Sequence, residues 1–530
     1  MRSAKYILSV GLLGFTLAWS LWYVFAGYGN PMDPFYWLYK YQTLESGWMS
    51  IGTILTGGAL VRLFGAQLLP LRLAAWLTVV AAIVLPYGAL LNREQRLNNL
   101  HWLALAFGLM GYGAFQEFSP GTLSVLLLSA IWVCTAKSLH ITHYTLHILT
   151  ALLAGIAVSV RFPNILVLLV LIPLWRKRAL WLVPIAAASA GVVYLLGYWF
   201  VTPAYMDAAM GSHAIPDMIS KLWVNGAKVL GYALLWLGVW AVGKFEIKNQ
   251  KSKILNEHWH IIMGIIMGAV LCYYVTFVPR IHQWYNIDLT YMISVGCIVW
   301  ALMTHQTSDI KHNTLYIGVA ILMVATLGTD TGWLKLFPSA VCLLSVAATR
   351  YEQEMRQYLY PALLGFTVAV MMRFSINCIG DYNLRHCTVG ATIAPYEHID
   401  IRPVDEAQLK QYKADYDSLN TSNIKHQTSN ILSLGQDMHR IRAVTGCQAA
   451  RFNEFWSNIF DSVYTVKYRE IIQAERPIVF CSFSPKFKTK KTYKDKQSAL
   501  EQMLRAEGYR EIDRSEYKYM IYIPDDKEIR

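Results

Sequence analysis

A carboxylate near the start of the chain is the first group to which chemistry can be assigned. Asp33 lies in the segment Gly29-Asn-Pro-Met-Asp-Pro-Phe-Tyr36, directly after the first apolar stretch. Pro31 and Pro34 flank it and stiffen the backbone. A carboxylate held in this way can accept the proton of a hydroxyl group. Asp33 is therefore a candidate for acid–base chemistry, with the N-cap of the following helix as the structural alternative.

Aromatic residues follow this acid closely, at Phe35, Tyr36, Trp37, Tyr39 and Tyr41. Rings beside a carboxylate suit the face of a sugar, but they also suit the boundary between membrane and water. Tyr36 and the neighbouring Lys40 are therefore candidates for a substrate cavity. The membrane-boundary interpretation stays open beside that one.

A second acid and several basic residues complete the candidate set. Glu117 lies in Gly113-Ala-Phe-Gln-Glu-Phe-Ser-Pro-Gly121, where the alternative is a solvated loop acid ahead of a helix. Arginine suits bidentate binding of phosphate, which makes Arg62, Arg72 and Arg280 candidates for such binding. The alternative for such residues is snorkelling to the lipid headgroups. Further cavity candidates are Arg72, Arg161, His282 and Tyr285.

The composition of the chain indicates the class of protein in which these residues lie. Of the 530 residues, 55% are hydrophobic and 15% are charged, whereas a soluble protein carries nearer a quarter charged. The net charge of +13 divides into +11 in residues 1–378 and +2 in residues 379–530. The basic excess thus lies in short connections between apolar runs, which argues against a nucleic-acid partner.

The apolar runs predict a polytopic α-helical membrane protein with about thirteen transmembrane helices. They lie near 6–27, 69–91, 99–116, 119–136, 142–160, 162–175, 178–201, 227–243, 259–279, 288–304, 313–328, 333–349 and 358–378. The glycine-rich stretch 48–64 is predicted to lie at the outer interface without crossing. The first run is expected to be a retained span, because no small-residue cleavage site follows it.

The loop charges predict the orientation. With a cytoplasmic N-terminus, most basic residues fall in cytoplasmic connections, including the cluster Trp175-Arg-Lys-Arg178. Counting 48–64 as a crossing would place that cluster outside. We therefore expect a plasma (inner) membrane protein whose N-terminus is cytoplasmic and whose C-terminal part is extracytoplasmic. Asp33 and Glu117 then lie on the same outer side.

Residues 379–530 have the composition of a soluble domain, and they follow a transmembrane module at 1–378. Polar helical patterns occur at 405–425 and 436–460, and a third helix is expected from Ser498 to Glu507. Strands are expected at 477–483 and 517–523, whereas the basic run 486–496 is expected to be a solvated loop. The sequence predicts a small α/β or α+β domain.

Four cysteines lie at or beyond the last span, at Cys378, Cys387, Cys447 and Cys481. In an oxidising compartment they could form two disulfides with any of three pairings, and free thiols are the alternative. No Cys-x-x-Cys pair occurs, so a zinc site is not expected.

The order of these features resembles the GT-C superfamily, and within it the branch of aminoarabinose transferases and protein mannosyltransferases. The resemblance covers about residues 1–380. It rests on an acid after the first span, a basic-Leu-Phe-Gly step at Arg62, an Arg beginning the second span, an acid after the third span, and the segment Leu153-Ala-Gly-Ile-Ala-Val-Ser-Val-Arg-Phe-Pro-Asn164. Where the family more often has Asp at the second acid, this chain has Glu117.

The resemblance implies an inverting glycosyltransferase that uses a polyprenyl-phosphate sugar. Asp33 would be the catalytic base, Glu117 a second acid, and Arg62 and Arg280 the residues that bind the donor phosphate. Membrane lipids would surround it, the acceptor could be a lipid, glycan or protein, and neither metal nor other cofactor is expected. The alternatives are a lipid-linked glycan flippase or transporter, a polysaccharide polymerase or ligase, and a membrane-anchored scaffold. Near-absence of ionisable groups within the spans disfavours a transporter.

Overall fold

The chain consists of a helical part followed by an α/β part. The computed structural model describes residues 2–26, 33–46, 48–110, 117–139, 144–203, 226–238, 285–303, 310–326, 337–347, 387–421, 430–435, 438–445, 462–482, 491–514 and 519–525, with a few single positions between them. The predicted boundary between residues 378 and 379 lies outside this set.

Helices, most of them apolar, make up the first part. They are α1 (Arg2–Phe25), α2 (Asp33–Thr43), α3 (Ile51–Phe64), α4 (Leu68–Leu90), α5 (Arg93–Asn98), α6 (Leu100–Met110), α7 (Pro120–Ser138), α8 (Tyr144–Val160), α9 (Val167–Trp175), α10 (Ala179–Phe200), α11 (Gly226–Gly238), α12 (Tyr285–Met303), α13 (Ile310–Met323) and α14 (Phe337–Ala347). Among the described residues, four stretches are long and apolar enough to cross a membrane: Tyr6–Phe25, Leu68–Leu90, Pro120–Ser138 and Phe162–Phe200. By helix length and composition, the chain is an integral membrane protein.

Within the described residues, helices coincide with many of the predicted spans, but several are shorter than a full crossing, such as α6 and α14 with 11 residues each. The stretch 162–175 differs further. This stretch contains a 3₁₀ turn at Phe162–Leu166 and then α9. The nine residues of α9 span about 14 Å, which is too short to cross a bilayer alone. A turn at Arg176–Arg178 connects α9 to α10. The predicted span 259–279 and most of 358–378 lie outside the described residues.

The stretch 48–64 forms a short turn followed by α3. Its 14 residues are about 21 Å long, less than the hydrocarbon thickness of a bilayer. Ile51 and Ile54 are buried on one side, whereas Leu63 and Phe64 near its end are exposed. These dimensions fit the expectation of a helix that does not cross.

The C-terminal part is an α/β domain, as the composition predicts. It contains β3 (Val389–Gly390), β4 (Asp400–Ile401), α15 (Pro403–Thr421), β5 (Ile431–Gly435), α16 (Met438–Thr445), α17 (Ser462–Glu475), β6 (Ile478–Ser482), α18 (Lys491–Ala506), β7 (Tyr509–Arg514) and β8 (Tyr519–Pro524). Its sheet has the strand order β5-β6-β8-β7. Strands β5 and β6 are parallel, with Ile431 opposite Ile478, and the other pairs are antiparallel.

Several local expectations for this domain need correction. The strands at 477–483 and 517–523 are present as β6 and β8, and the helix at 405–425 is present as α15. The basic run was expected to be a loop, but its residues from Lys491 onward belong to α18. Leu500, Met503 and Leu504 recur at helical spacing and bury one face, so the helix extends back through the charged residues. Strands β5 and β7 and helix α17 were not predicted.

A single apolar core joins the C-terminal domain to the helical part. It contains Phe35 and Tyr41 of α2, Leu68 of α4, and Tyr396 and Ile521 of the C-terminal domain. A separate and larger core lies among α4, α6, α7, α8, α12 and α14. Helix α2 is therefore held between the membrane helices and the C-terminal domain.

Candidate functional site

Helix α2 carries the first candidate acid. Asp33 is its first residue and Pro34 its second, a position where proline suits the helix start. Asp33 therefore lies near the N-cap position of α2, which agrees with the structural alternative that it caps the helix. The 27–32 loop ahead of it lies outside the described residues, so Asp33 is located here by its backbone.

Close packing against α3 fixes the second half of α2. A Cβ placed on Gly57 would overlap the ring of Tyr41, and one placed on Gly58 would overlap Leu44. Glycine at both positions lets the two helices approach each other. A short parallel pair of strands, β1 (Glu45–Ser46) and β2 (Thr202–Pro203), follows at the end of α2 and joins it to the end of α10.

Tyr41 brings the loop of the second candidate acid against α2. Its buried hydroxyl donates a 2.6 Å hydrogen bond to the carbonyl oxygen of Phe118. Burial raises the pKa of Tyr41 well above its usual value, and the charge of Glu117 raises it further. Glu117 is itself half-buried. The second acid thus lies beside α2, the helix that Asp33 begins.

Two predicted cavity residues lie together on α2. The ammonium nitrogen of Lys40 is 5.4 Å from the centre of the Tyr36 ring, a distance that allows a cation–π interaction. Lys40 is buried and Tyr36 is half-buried. Tyr36 also contributes to the raised pKa of Tyr41. The structure therefore groups Tyr36, Lys40 and Glu117 around α2.

Two predicted arginines make buried hydrogen bonds to backbone oxygens. Arg72 of α4 donates from Nη2 to the carbonyl of Tyr23 at 2.7 Å, in the last turn of α1. Cationic groups stabilise the carbonyl end of a helix. Arg161 donates from Nη1 to the carbonyl of Ala325 at 2.8 Å. These contacts connect helices, and they differ from the snorkelling expected as the alternative for Arg72.

The remaining predicted residues are described only in part. Arg62 lies in the last turn of α3 with its side chain exposed. Tyr285 is the first residue of α12, and only its backbone is described. Arg280 and His282 lie outside the described residues.

A hairpin of the C-terminal domain contacts the helix ends around Asp33. We call residues 391–399, between β3 and β4, the docking loop. Its Tyr396 ring lies 4.9 Å from that of Phe35, two residues after Asp33. Its Pro395 carbonyl accepts a 3.0 Å hydrogen bond from the Leu68 amide at the start of α4. Asp400 of β4 forms a parallel bridge with Ala26 after α1.

Sequence reasoning missed this contribution of the C-terminal domain. Tyr396 is fully buried, yet it lies in a stretch with no apolar periodicity that would indicate burial. Arg442 of α16 is also buried and packs on α2. In the sequence, the apolar residues Ile441 and Val444, three positions apart, indicate that one face of α16 is buried. Of the predicted disulfide cysteines within the described residues, Cys387 and Cys481 are free.

Comparisons with known proteins find similarity to solved structures only. No protein-family profile and no curated protein matches the chain. The crystal structure of ArnT from Cupriavidus metallidurans bound to undecaprenyl phosphate has 13% sequence identity over 98% of both chains, with a TM-score of 0.42. The apo crystal structure of the same protein has 13% identity over 97% of this chain and 98% of its own, with a TM-score of 0.43.

Proposed function

We propose that the chain is a glycosyltransferase that moves a sugar from a polyprenyl-phosphate-linked donor to an acceptor hydroxyl. The position of α2 supports this most directly. The helix begins at Asp33 and is packed against α3, the loop of Glu117 and the docking loop. A candidate base at the start of a firmly held helix, beside apolar helices, suits chemistry on a lipid-linked substrate.

The proposed reaction is a single displacement. Asp33 accepts the proton of the acceptor hydroxyl as its oxygen attacks the anomeric carbon. The bond between this carbon and the phosphate oxygen breaks, and the polyprenyl phosphate leaves with the bonding electrons. Attack opposite the leaving group inverts the anomeric carbon. Glu117 orients the acceptor or assists the base.

Arg62 and Arg280 are proposed to neutralise the departing phosphate, on which negative charge grows in the transition state. Arg62 is exposed beside Leu63 and Phe64, which are 74% and 61% exposed. A cation at the edge of an apolar surface suits a phosphate whose hydrocarbon tail lies along that surface. We propose transfer without a metal ion, because the outer loops carry no Asp-x-Asp pair.

The reaction is proposed to occur at the outer face of the plasma (inner) membrane. The distribution of Lys and Arg among the connections supports a cytoplasmic N-terminus and an extracytoplasmic C-terminal domain. Helix α2 and the C-terminal domain contact each other, so both lie on one side.

Replacing Asp33 with Asn tests the assignment. We expect Asp33→Asn to lose transfer by at least about 100-fold, because an amide cannot accept the proton. The measurement is sugar transfer by purified full-length protein from a series of polyprenyl-phosphate sugars. Asp417→Asn makes the same change at an exposed residue of α15 and should retain activity. Wild-type rates in Asp33→Asn would exclude Asp33 as the base.

A further inference from the structure

Arg442 is a buried arginine where the C-terminal domain packs on α2. It lies on α16 and is 2% exposed. Its guanidinium carbon is 5.4 Å from the centre of the Tyr39 ring. This geometry is that of a cation held over an aromatic face. The contact crosses from the C-terminal domain to the helix that begins at Asp33.

Within the part of the chain that the structure describes, the guanidinium group makes none of the hydrogen bonds that a buried arginine usually makes. Among the described residues, Nε, Nη1 and Nη2 have no hydrogen-bond partner. Burial lowers the pKa of Arg442 to about 10, so the group remains a cation at neutral pH. Burying such a charge costs free energy, and an apolar residue of similar size is often neutral or stabilising. The net contribution of Arg442 to the stability of the fold is therefore expected to be small.

Tyr39 connects this charge to an acid on the other side. Its hydroxyl donates a 3.3 Å hydrogen bond to Oε2 of Glu45. Burial raises the pKa of Tyr39 to about 12, so the hydroxyl stays protonated and can donate. Glu45 lies in β1, opposite Thr202 of β2. A continuous path thus joins the C-terminal domain, α2 and the end of α10.

We propose that Arg442 is a positioning residue that fixes α2, and with it Asp33, by means of the Arg442–Tyr39–Glu45 contact. Asp33 lies six residues before Tyr39, about 9 Å along the helix axis. A shift of α2 would move the base relative to the acceptor hydroxyl. The inference rests on the proposed function and gives the C-terminal domain a part in it.

The test compares three variants of the full-length protein. Arg442→Met removes the charge and keeps an apolar side chain, and Arg442→Lys keeps a cation. Arg469→Met is the matched control, because Arg469 is an arginine of the same domain that is 52% exposed. The measurements are kcat and KM for transfer, the melting temperature, and hydrogen–deuterium exchange of residues 33–43.

For Arg442→Met we expect an unchanged or higher melting temperature, a kcat about 10- to 100-fold lower, and a donor KM within about twofold. Exchange of residues 33–43 should become faster. Arg442→Lys should recover part of kcat, and Arg469→Met should match the wild type.

Two results would overturn the inference. One is Arg442→Met with wild-type kcat and unchanged exchange in α2. The other is a lower kcat in Arg442→Met together with a lower melting temperature, with no recovery of kcat in Arg442→Lys. That result would show that Arg442 acts only through the stability of the fold. If the wild-type protein transfers no sugar, the proposed function fails, whereas exchange of residues 33–43 still decides whether Arg442 fixes α2.

Discussion

Individual buried side chains set the geometry around α2 by satisfying backbone groups at a distance in sequence. Tyr41 bonds to the carbonyl of Phe118, and Arg72 bonds to that of Tyr23. A buried carbonyl without a partner costs free energy, so each bond favours one arrangement of the segments it connects. The candidate acids are therefore positioned by neighbours that themselves carry no proposed chemistry.

Glu406 plays a comparable part in the C-terminal domain, where it holds the docking loop. Its Oε1 accepts hydrogen bonds from the Thr392 amide at 3.2 Å and from the Thr392 hydroxyl at 2.8 Å. It also pairs with Lys410 at 2.8 Å. Burial works to raise the pKa of Glu406, but the bonds from Lys410 and Thr392 outweigh it and lower the pKa below 4.5.

Because the pKa of Glu406 is lower in the folded protein, the free energy of unfolding decreases as the pH falls. The stabilisation by Glu406 is fully present above its ordinary pKa of 4.5 and is lost as the pH falls through its lower folded value. We expect Glu406→Gln to be less stable than the wild type at pH 7. Thermal unfolding between pH 7 and pH 3 should show the two converging in acid.

Asp417→Asn, which changes an exposed carboxylate of the same helix, provides the control. Its melting temperature should follow that of the wild type throughout. A constant difference between wild type and Glu406→Gln over the whole range would show that Glu406 does not contribute through its charge.

At the scale of elements, the approach of α2 to α3 depends on glycine. Gly57 and Gly58 leave room for Tyr41 and Leu44, and Gly52 faces Ser159 and Val160 of α8. The sequence shows these glycines but not their neighbours. Gly52 lies five residues, about 1.4 helical turns, before Gly57, and Gly58 follows directly, so the three glycines face different sides of α3. Only the packing shows which neighbour each glycine meets.

Replacing Gly57 with Ala tests this contact. The added methyl would overlap the Tyr41 ring, and because Tyr41 is buried, the ring has little freedom to move away. We expect Gly57→Ala to destabilise the protein by about 1–3 kcal/mol, as overpacking of a core usually does. The melting temperature in detergent measures the effect.

Gly191→Ala is the matched control, since a Cβ at Gly191 of α10 meets nothing within 4 Å. That variant should be as stable as the wild type or slightly more stable. Equal stability of Gly57→Ala and Gly191→Ala would contradict the close packing of α2 on α3.

At the scale of the whole molecule, the C-terminal domain and α2 share one apolar core, so the proposed orientation must place both on the same side of the membrane. The docking loop and α16 reach α2 from the same domain. The basic turn Arg176–Arg178 lies between α9 and α10, and the charge distribution predicts it on the opposite, cytoplasmic side.

Labelling with a membrane-impermeant thiol reagent tests this arrangement. Cysteine placed at exposed Gln42 of α2, or at Lys413 of α15, whose side chain is 42% exposed, should be labelled in intact cells from which any outer barrier has been removed. Cysteine at exposed Lys177 should react only after permeabilisation. Wild-type protein gives the background of native thiols. Labelling of Lys177→Cys but not Gln42→Cys in intact cells would reverse the orientation.

Much of the architecture could be predicted because it depends on local composition. Leu68–Leu90 and Pro120–Ser138 are apolar over nearly their whole length, and β6 is a short apolar run. The extent of α18 could not be predicted from its charged first turns, because the residues that bury it lie further along. In the candidate site, the N-cap alternative for Asp33 predicted its position at a helix start. The surroundings of Tyr41 could not be predicted, because Phe118, which accepts its hydrogen bond, lies far away in the sequence.

The sequence alone determined that this is a membrane protein with a C-terminal α/β domain, because hydrophobicity and its periodicity are properties of neighbouring residues. It also selected Asp33 and Glu117 as the acids that follow the first and third spans. Only the tertiary structure decided that α2 packs against the C-terminal domain. It also decided that Glu117 lies near Tyr41 and that the buried Arg442 packs on the ring of Tyr39. These are contacts between residues dozens to hundreds of positions apart, and long-range packing rather than local pattern selects them.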